Sequence, residues 1–288
     1  MLLTPLPPVR LAHQRVHGAA QLAYARDAQG RTRLADLYQR APCRVLFPDV
    51  EAGEPPQAVL LTTSGGLTSG DRLDVSITAQ QGSRLTVSTQ AAEKLYRALP
   101  GEADAQVGVR LQVEAGAMLE WLAQESILFD RSRLRREISI ELASDARLLA
   151  TESVVWGRTA MGERYASGRL HESWRVRRNG RLIWADALHL EGTMQAHRDA
   201  AFALGDALAC ATVLYAGDDA PSLLGRLREQ LSEADARVAA ATSFDGLLIV
   251  RLLSGDATGL RETLKRITAL LRSMALDLPK ALPRVWTC

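Results

Sequence analysis

Two segments place a carboxylate where a strand would bury it. In RLLATESVVWG (147–157), alternation puts Leu148, Ala150, Glu152, Val154 and Trp156 on one face. In RLIWADALHL (181–190), Leu182, Trp184, Asp186, Leu188 and Leu190 share a face in the same way. An unpartnered carboxylate among apolar side chains costs several kcal/mol or takes up a proton, so each acid needs an arginine, water or a metal. Two roles stay open: an internal ion pair, or the two carboxylates of an acid–base hydrolase on a β scaffold. A bulge would instead shift the parity and turn either acid outward.

The other reactive side chains carry weaker patterns. The histidines are His13, His17, His171, His189 and His197, and none adjoins a nucleophile elbow or a Cys/His signature. His13 and His17 have the i, i+4 spacing that holds a metal on a helix. Their segment, VRLAHQRVHGAAQLAYA, alternates like a strand, which makes them surface-facing. Cys43, Cys210 and Cys288 are odd in number and far apart, so they read as reduced thiols without zinc spacing.

The stretch LLTTSGGLTSGDRLDVSITA (60–79) sets three glycines before an acid. A phosphate cradle needs amides converging on a helix N-terminus, usually with a lysine. Here the glycines lead into an alternating strand, so the phosphate reading fails. Gly65, Gly66 and Gly70 supply backbone conformations closed to other residues, and Asp71 caps the turn.

Net charge is +2 and aromatic residues are 5%, which leaves no general attraction to nucleic acid or membrane. No apolar run approaches the roughly 20 residues that span a bilayer. MLLTPLPPVR lacks the pattern of a secretory signal, so a cytoplasmic location is expected.

These residues must be positioned mainly by strands. Runs at 72–79, 84–90, 107–115, 117–124 and 136–143 alternate with period two, and Gly82-Ser83, Pro100-Gly101, Ala115-Gly116 and Ser144-Asp145 punctuate them at hairpin-like intervals. Asn179-Gly180 between two strand-like runs predicts a type I′ hairpin, and Phe244-Asp245-Gly246 another connection between strands. The alanine-rich run after residue 195 is compatible with a helix or with a loop entering a strand. APSLLGRLREQLSEA predicts a helix capped by Asp219 or Ser222, and Leu260, Leu264, Ile267, Leu271 and Met274 mark the core face of another. The fold expected is mainly β (β-rich α+β), with stacked antiparallel or mixed sheets and about two helices toward the C-terminus. A β-rich body over 1–215 would carry a helix–hairpin–helix segment, 216–288, as one continuous domain. The arginine-rich stretches DRSRLRRE (130–137) and RVRRNGR (175–181) read as a solvated face or a surface for acidic partners.

Five motifs in series resemble the urease accessory protein UreD family. They are the glycine loop ending in Gly-Asp, STQAAEKLYRA (88–98) with Thr89, Lys94, Tyr96 and Arg97, the block LEWLAQESILFDRSRLRREISIELASDARLLATE (119–152), GRTAMGERYASGRL (157–170), and LPRVW (282–286). Thr63-Ser64, Ser69 and Ala123 stand where the family carries other residues, chiefly prolines or a glycine. The resemblance implies a β-rich stack of sheets with a pair of helices and a non-catalytic role in urease maturation. It also implies UreF, the nickel-bearing GTPase UreG and apo-urease as partners, with nickel as transient cargo rather than a bound cofactor. Glu152 and Asp186 match acids assigned to an internal metal path. Gly65, Gly66, Gly70, Asp71, Lys94, Tyr96 and Arg97 would be structural or interface residues. A hydrolase using Glu152 and Asp186, or a plain β-sheet protein-binding module, is the alternative.

Overall fold

The computed structural model describes residues 15–201 and 203–287. In chain order the early strands are β1 (His17–Arg26), β2 (Thr32–Arg40), β3 (Cys43–Leu46), β4 (Gln57–Thr62), β5 (Arg72–Ala79) and β6 (Arg84–Thr89). Next come β7 (Glu93–Leu95), β8 (Ala105–Val113), β9 (Met118–Leu122), β10 (Ser126–Leu128), β11 (Arg133–Leu142) and β12 (Arg147–Arg158). The last are β13 (Glu163–Arg164), β14 (Ser167–Arg178), β15 (Arg181–Thr193), β16 (Ala209–Ala216), β17 (Ala239–Phe244) and β18 (Leu247–Ser254). The helices are α1 (Met194–Asp199), α2 (Ala220–Gln230), α3 (Glu233–Ala236) and α4 (Ala257–Leu276).

They form two mixed sheets. The first has seven strands in the order β15-β14-β11-β8-β5-β1-β2. The second has eleven, with β17-β18-β16-β12-β9-β6-β4-β3 as its main path. The mainly β architecture, with helices mostly C-terminal, is the one expected. β17 and β18 extend the second sheet beyond β16, so that sheet continues across residues 215 and 216.

Hairpins were expected at the turns near residues 82, 116 and 145, and the chain does something else there. Each turn carries it from the first sheet to the second: β5 to β6, β8 to β9, β11 to β12. Successive arches stack, with the Gly82 amide donating to the Ala115 carbonyl (2.9 Å) and the Gly116 amide to Asp145 Oδ1 (3.0 Å). Strands of neighbouring arches therefore pair in parallel, as in β5–β8–β11 and β6–β9–β12. The turn signal in the sequence was right; what the two flanking strands do is face each other through side chains instead of hydrogen bonds. Hairpins do form at Asn179-Gly180 (φ 51° and 76°) and Asp245-Gly246 (φ 47° and 72°), where both residues adopt the positive φ that a type I′ turn requires.

Period-two alternation then decides what each face buries. Leu85, Val87, Leu119, Trp121, Leu148 and Trp156 meet Leu111, Leu134, Ile138, Ile140 and Trp174 in the gap between sheets. The far side of the second sheet packs Met118, Leu149, Val213 and Tyr215 against α2 and α4. Leu260, Leu264, Ile267 and Leu271 are buried as expected, and Met274 is partly buried beside them. Asp256 caps α4 by accepting the Thr258 amide (3.0 Å). Asp219 occupies the corresponding place before α2, but its carboxylate accepts the Tyr215 hydroxyl (2.6 Å) and makes no capping bond. The alanine-rich run resolves into the short α1 and a connection to β16.

Candidate functional site

The inward faces of β11, β12 and β14 bring one guanidinium between two carboxylates. Glu152 on β12 is 2% exposed. Its Oε2 lies 2.8 Å from Arg136 Nη1, and its Oε1 accepts the Trp121 indole N–H at 2.9 Å. Arg136, on β11, also donates through Nε to Glu172 Oε2 (2.8 Å) and through Nη1 to Ser126 Oγ (2.9 Å). Glu172, on β14, accepts the Trp174 indole N–H at 3.2 Å. With both acids ionised, the group carries a net charge of −1 in a site almost closed to water. Burial is the main cause that pushes the Glu152 carboxyl above the usual range; Arg136 opposes it and Glu172 reinforces it. The same two carboxylates outweigh burial at Arg136 and hold its guanidinium charged more firmly than usual.

Asp186 sits elsewhere and in a wetter place. It lies opposite Trp174 in the β14–β15 ladder, and its side chain is 32% exposed. The expectation that it is buried among apolar neighbours is corrected: it forms an ion pair with Arg251 at the margin of the gap. One cause is that β15 is an edge strand. Ile183 is also an extra residue in that ladder, since Val176 faces Trp184 and Arg177 faces Leu182. This bulge turns Leu182 outward, to 48% exposure, and takes it off the face it was expected to share.

Polar side chains nevertheless lie between the two acids. Thr212 is the β16 neighbour of Glu152, and its hydroxyl accepts a hydrogen bond from Arg251 Nη1 (2.9 Å). Arg251 reaches from there to Asp186. Cys210 lies along the same face of β16; burial, aided by Glu172, pushes its thiol up to about 12.

On the opposite side, a cavity of about 100 Å³ extends from Glu152, Arg136 and Trp121 to Glu93, Thr62 and Cys43. Burial pushes the Glu93 carboxyl up to about 7, and the Thr62 hydroxyl and the Lys94 backbone offset it only in part. Burial likewise raises the Cys43 thiol to about 11. No group of three or more His, Cys, Asp or Glu side chains that could hold a metal ion occurs among the described residues.

Sequence reasoning missed Arg136, Glu172 and Glu93. Arg136 was counted within a basic stretch expected to face solvent, and the structure corrects this. The signal was present: Leu134, Arg136, Ile138 and Ile140 alternate inward, as do Leu170, Glu172, Trp174 and Val176.

The glycine loop and the lysine-bearing motif form one substructure. The Leu67 amide donates to the Lys94 carbonyl (2.7 Å), the Tyr96 amide to the Leu67 carbonyl (2.7 Å), and the Tyr96 hydroxyl to the Gly65 carbonyl (2.6 Å). At Gly66 (φ 146°) a Cβ would lie 2.5 Å from the Lys94 carbonyl oxygen, so only glycine fits. Gly70 also has positive φ (76°), and Asp71 accepts the Val16 and Thr68 amides, each at 2.8 Å. Lys94, Tyr96 and Arg97 are exposed, with the Tyr96 ring 5.0 Å from that of Phe129 in edge-to-face contact. His17 opens β1 on the exposed face and bonds Asp74 (3.0 Å); His13 and Cys288 lie outside the described residues.

A second buried cluster lies on the helix side. Arg272 of α4, with 0% exposure, donates through Nε to Glu120 Oε1 (2.7 Å) and through Nη1 to Glu54 Oε1 (3.2 Å), and also holds the Ala281 carbonyl. It ties α4, the loop before β4 and the C-terminal segment to one point.

Residues 16–287 match the model of the UreD urease accessory protein family. The chain belongs to this family. A Magnetococcus marinus protein named urease accessory protein UreD is 46% identical over 278 residues, covering 95% of this chain and 94% of the relative. Proteins of the same name from Rhizobium leguminosarum bv. trifolii and a Methylobacterium strain are 40% and 38% identical, covering 96% and 98% of their own lengths. As a UreD family member the chain is an accessory protein of urease maturation, a chaperone of nickel metallocentre assembly rather than an enzyme. In that setting the arginine-matched acids are no hydrolase pair.

Proposed function

We propose that this chain holds the nickel-delivery complex on apo-urease, docking UreF and through it the GTPase UreG, and that nickel passes along the polar seam between the sheets. The proposal places the chain in the cytoplasm with its partners, and treats nickel as cargo. The observation that carries it is the sharing of Arg136 between Glu152 and Glu172 at the edge of a cavity. The two carboxylates offer oxygen donors to a dication, while the guanidinium they share keeps them from closing around it. A conduit must release its ion, and each 1.4 kcal/mol of added affinity slows release about tenfold. Scattered carboxylates with water suit that demand better than a histidine or thiolate cage. The exposed Lys94, Tyr96 and Arg97, held by the glycine loop, offer a firm surface for an acidic partner.

The test is activation of apo-urease by nickel with the other accessory proteins, adding wild-type chain, no chain, or a Glu152→Gln, Asp186→Asn double variant. Omission should abolish activation, and the double variant should assemble normally yet activate several-fold more slowly. Normal activation by an assembled double variant would leave the chain a docking scaffold whose acids are structural. If omission changed nothing, the chain would have no part in maturation in this system.

A further inference from the structure

Two histidines meet on the opposite face of the first sheet, away from the seam. His171 on β14 and His189 on β15 are direct partners in the antiparallel ladder. Direct cross-strand partners have Cβ atoms about 5 Å apart. Their ring centroids are 5.6 Å apart with an interplanar angle of 62°. Two imidazoles bound to one tetrahedral cation at about 2.1 Å per metal–nitrogen bond hold their ring centroids about 5 Å apart, so small side-chain rotations suffice. α2 and α4 pack on the other sheet, and the His189 side chain is 52% exposed, so a hydrated ion can reach it.

Two of the three arginines around the pair are matched by carboxylates. Arg135, beside His171 in the next strand, is bonded to Glu137 (2.9 Å). Arg169, two residues before His171, is held by Glu191 and Asp104. Arg175 lies four residues further along β14. The Glu191 carboxylate stands 3.5 Å from His189 Nε2 through one oxygen, while Arg169 holds the other. His197 is engaged by the Glu191 backbone (2.9 and 3.1 Å) and does not complete the set.

We propose that His171 and His189 form a two-imidazole site for a late first-row dication, nickel(II), copper(II) or zinc(II), on the open face of the first sheet. Two neutral nitrogen donors with water in the remaining positions favour these ions over magnesium and calcium, with copper(II) the tightest. The site is independent of the internal seam.

The experiment titrates the full-length chain with NiCl2 by calorimetry and with CuCl2 by electron paramagnetic resonance, in which nitrogen coupling separates imidazole ligation from carboxylate ligation. One nitrogen-ligated copper per chain is expected. His171→Ala and His189→Gln should each weaken nickel binding at least about tenfold, since even outer-shell partners cost that much. His17→Ala and the Glu152→Gln, Asp186→Asn double variant should leave this site unchanged. Wild-type affinity in either His171→Ala or His189→Gln, or an oxygen-only copper signal, would overturn the proposal and leave the two rings as a packing pair.

Discussion

Arg136 Nη1 stands 2.8 Å from Glu152 Oε2, and neither side chain is more than 5% exposed. The pair joins the two sheets across their gap, with Glu172 as a second claimant on the same guanidinium. Removing the cation and removing one acid should therefore have opposite consequences.

Arg136→Met leaves two carboxylates buried without a counter-charge and should cost about 3–5 kcal/mol of stability. Glu152→Gln keeps an acceptor for the Trp121 indole and leaves one acid to one base, so it should change stability by about 1 kcal/mol or less. Urea denaturation of both variants at pH 7 checks this. Equal losses would mean that the imbalance of charge is not what the site stores.

Glu93 predicts a pH dependence. Its carboxyl rises from 4.5 to about 7 on folding, so the native state binds the extra proton between those values. Its contribution is intact below about pH 4.5 and is lost as pH rises through 7, a penalty of roughly 3 kcal/mol at full ionisation. Glu93→Gln should be more stable than wild type at pH 8, and the difference should vanish near pH 4.5. Parallel stability curves for the two proteins from pH 4.5 to 8 would refute it.

At the glycine loop, Gly66→Ala forces a Cβ to 2.5 Å from the Lys94 carbonyl at a φ of 146°. A loss of roughly 1–3 kcal/mol is expected from the backbone strain alone. Gly65, expected to need a backbone conformation closed to other residues, has no positive φ, so Gly65→Ala, whose nearest atom is the Tyr96 hydroxyl at 3.4 Å, should be nearly neutral. Thermal melts of the two variants side by side decide the matter, and a larger loss for Gly65→Ala would contradict the geometry.

Arg272→Leu should free the C-terminal segment as well as destabilise the core, because one guanidinium holds Glu120, Glu54 and the Ala281 carbonyl. A stability loss of about 3–5 kcal/mol follows from the acids left behind. Limited proteolysis should cut first within 277–287; a cleavage pattern identical to wild type would argue against the latch.

Much of this molecule was legible in its sequence because side-chain direction in a strand depends only on parity. The inward position of Glu152, the Asn179-Gly180 hairpin, the buried stripe of α4 and the capping role of Asp71 all follow from local spacing and local backbone chemistry. Parity also pointed Arg136 inward, although a cluster of arginines suggested solvent. What lay beyond the sequence was which strands become neighbours. A turn signal at Gly82 or Gly116 reverses the chain in either a hairpin or an arch, and the choice is made by the surfaces that the two strands must bury. Only the stacked arches bring Arg136, Glu152 and Glu172 from separate strands to one point. The Ile183 bulge and the edge position of β15 likewise arise from pairing, and they leave Asp186 half in water beside Arg251. Local spacing sets which way a side chain points; contacts between segments far apart in the chain set what it finds there.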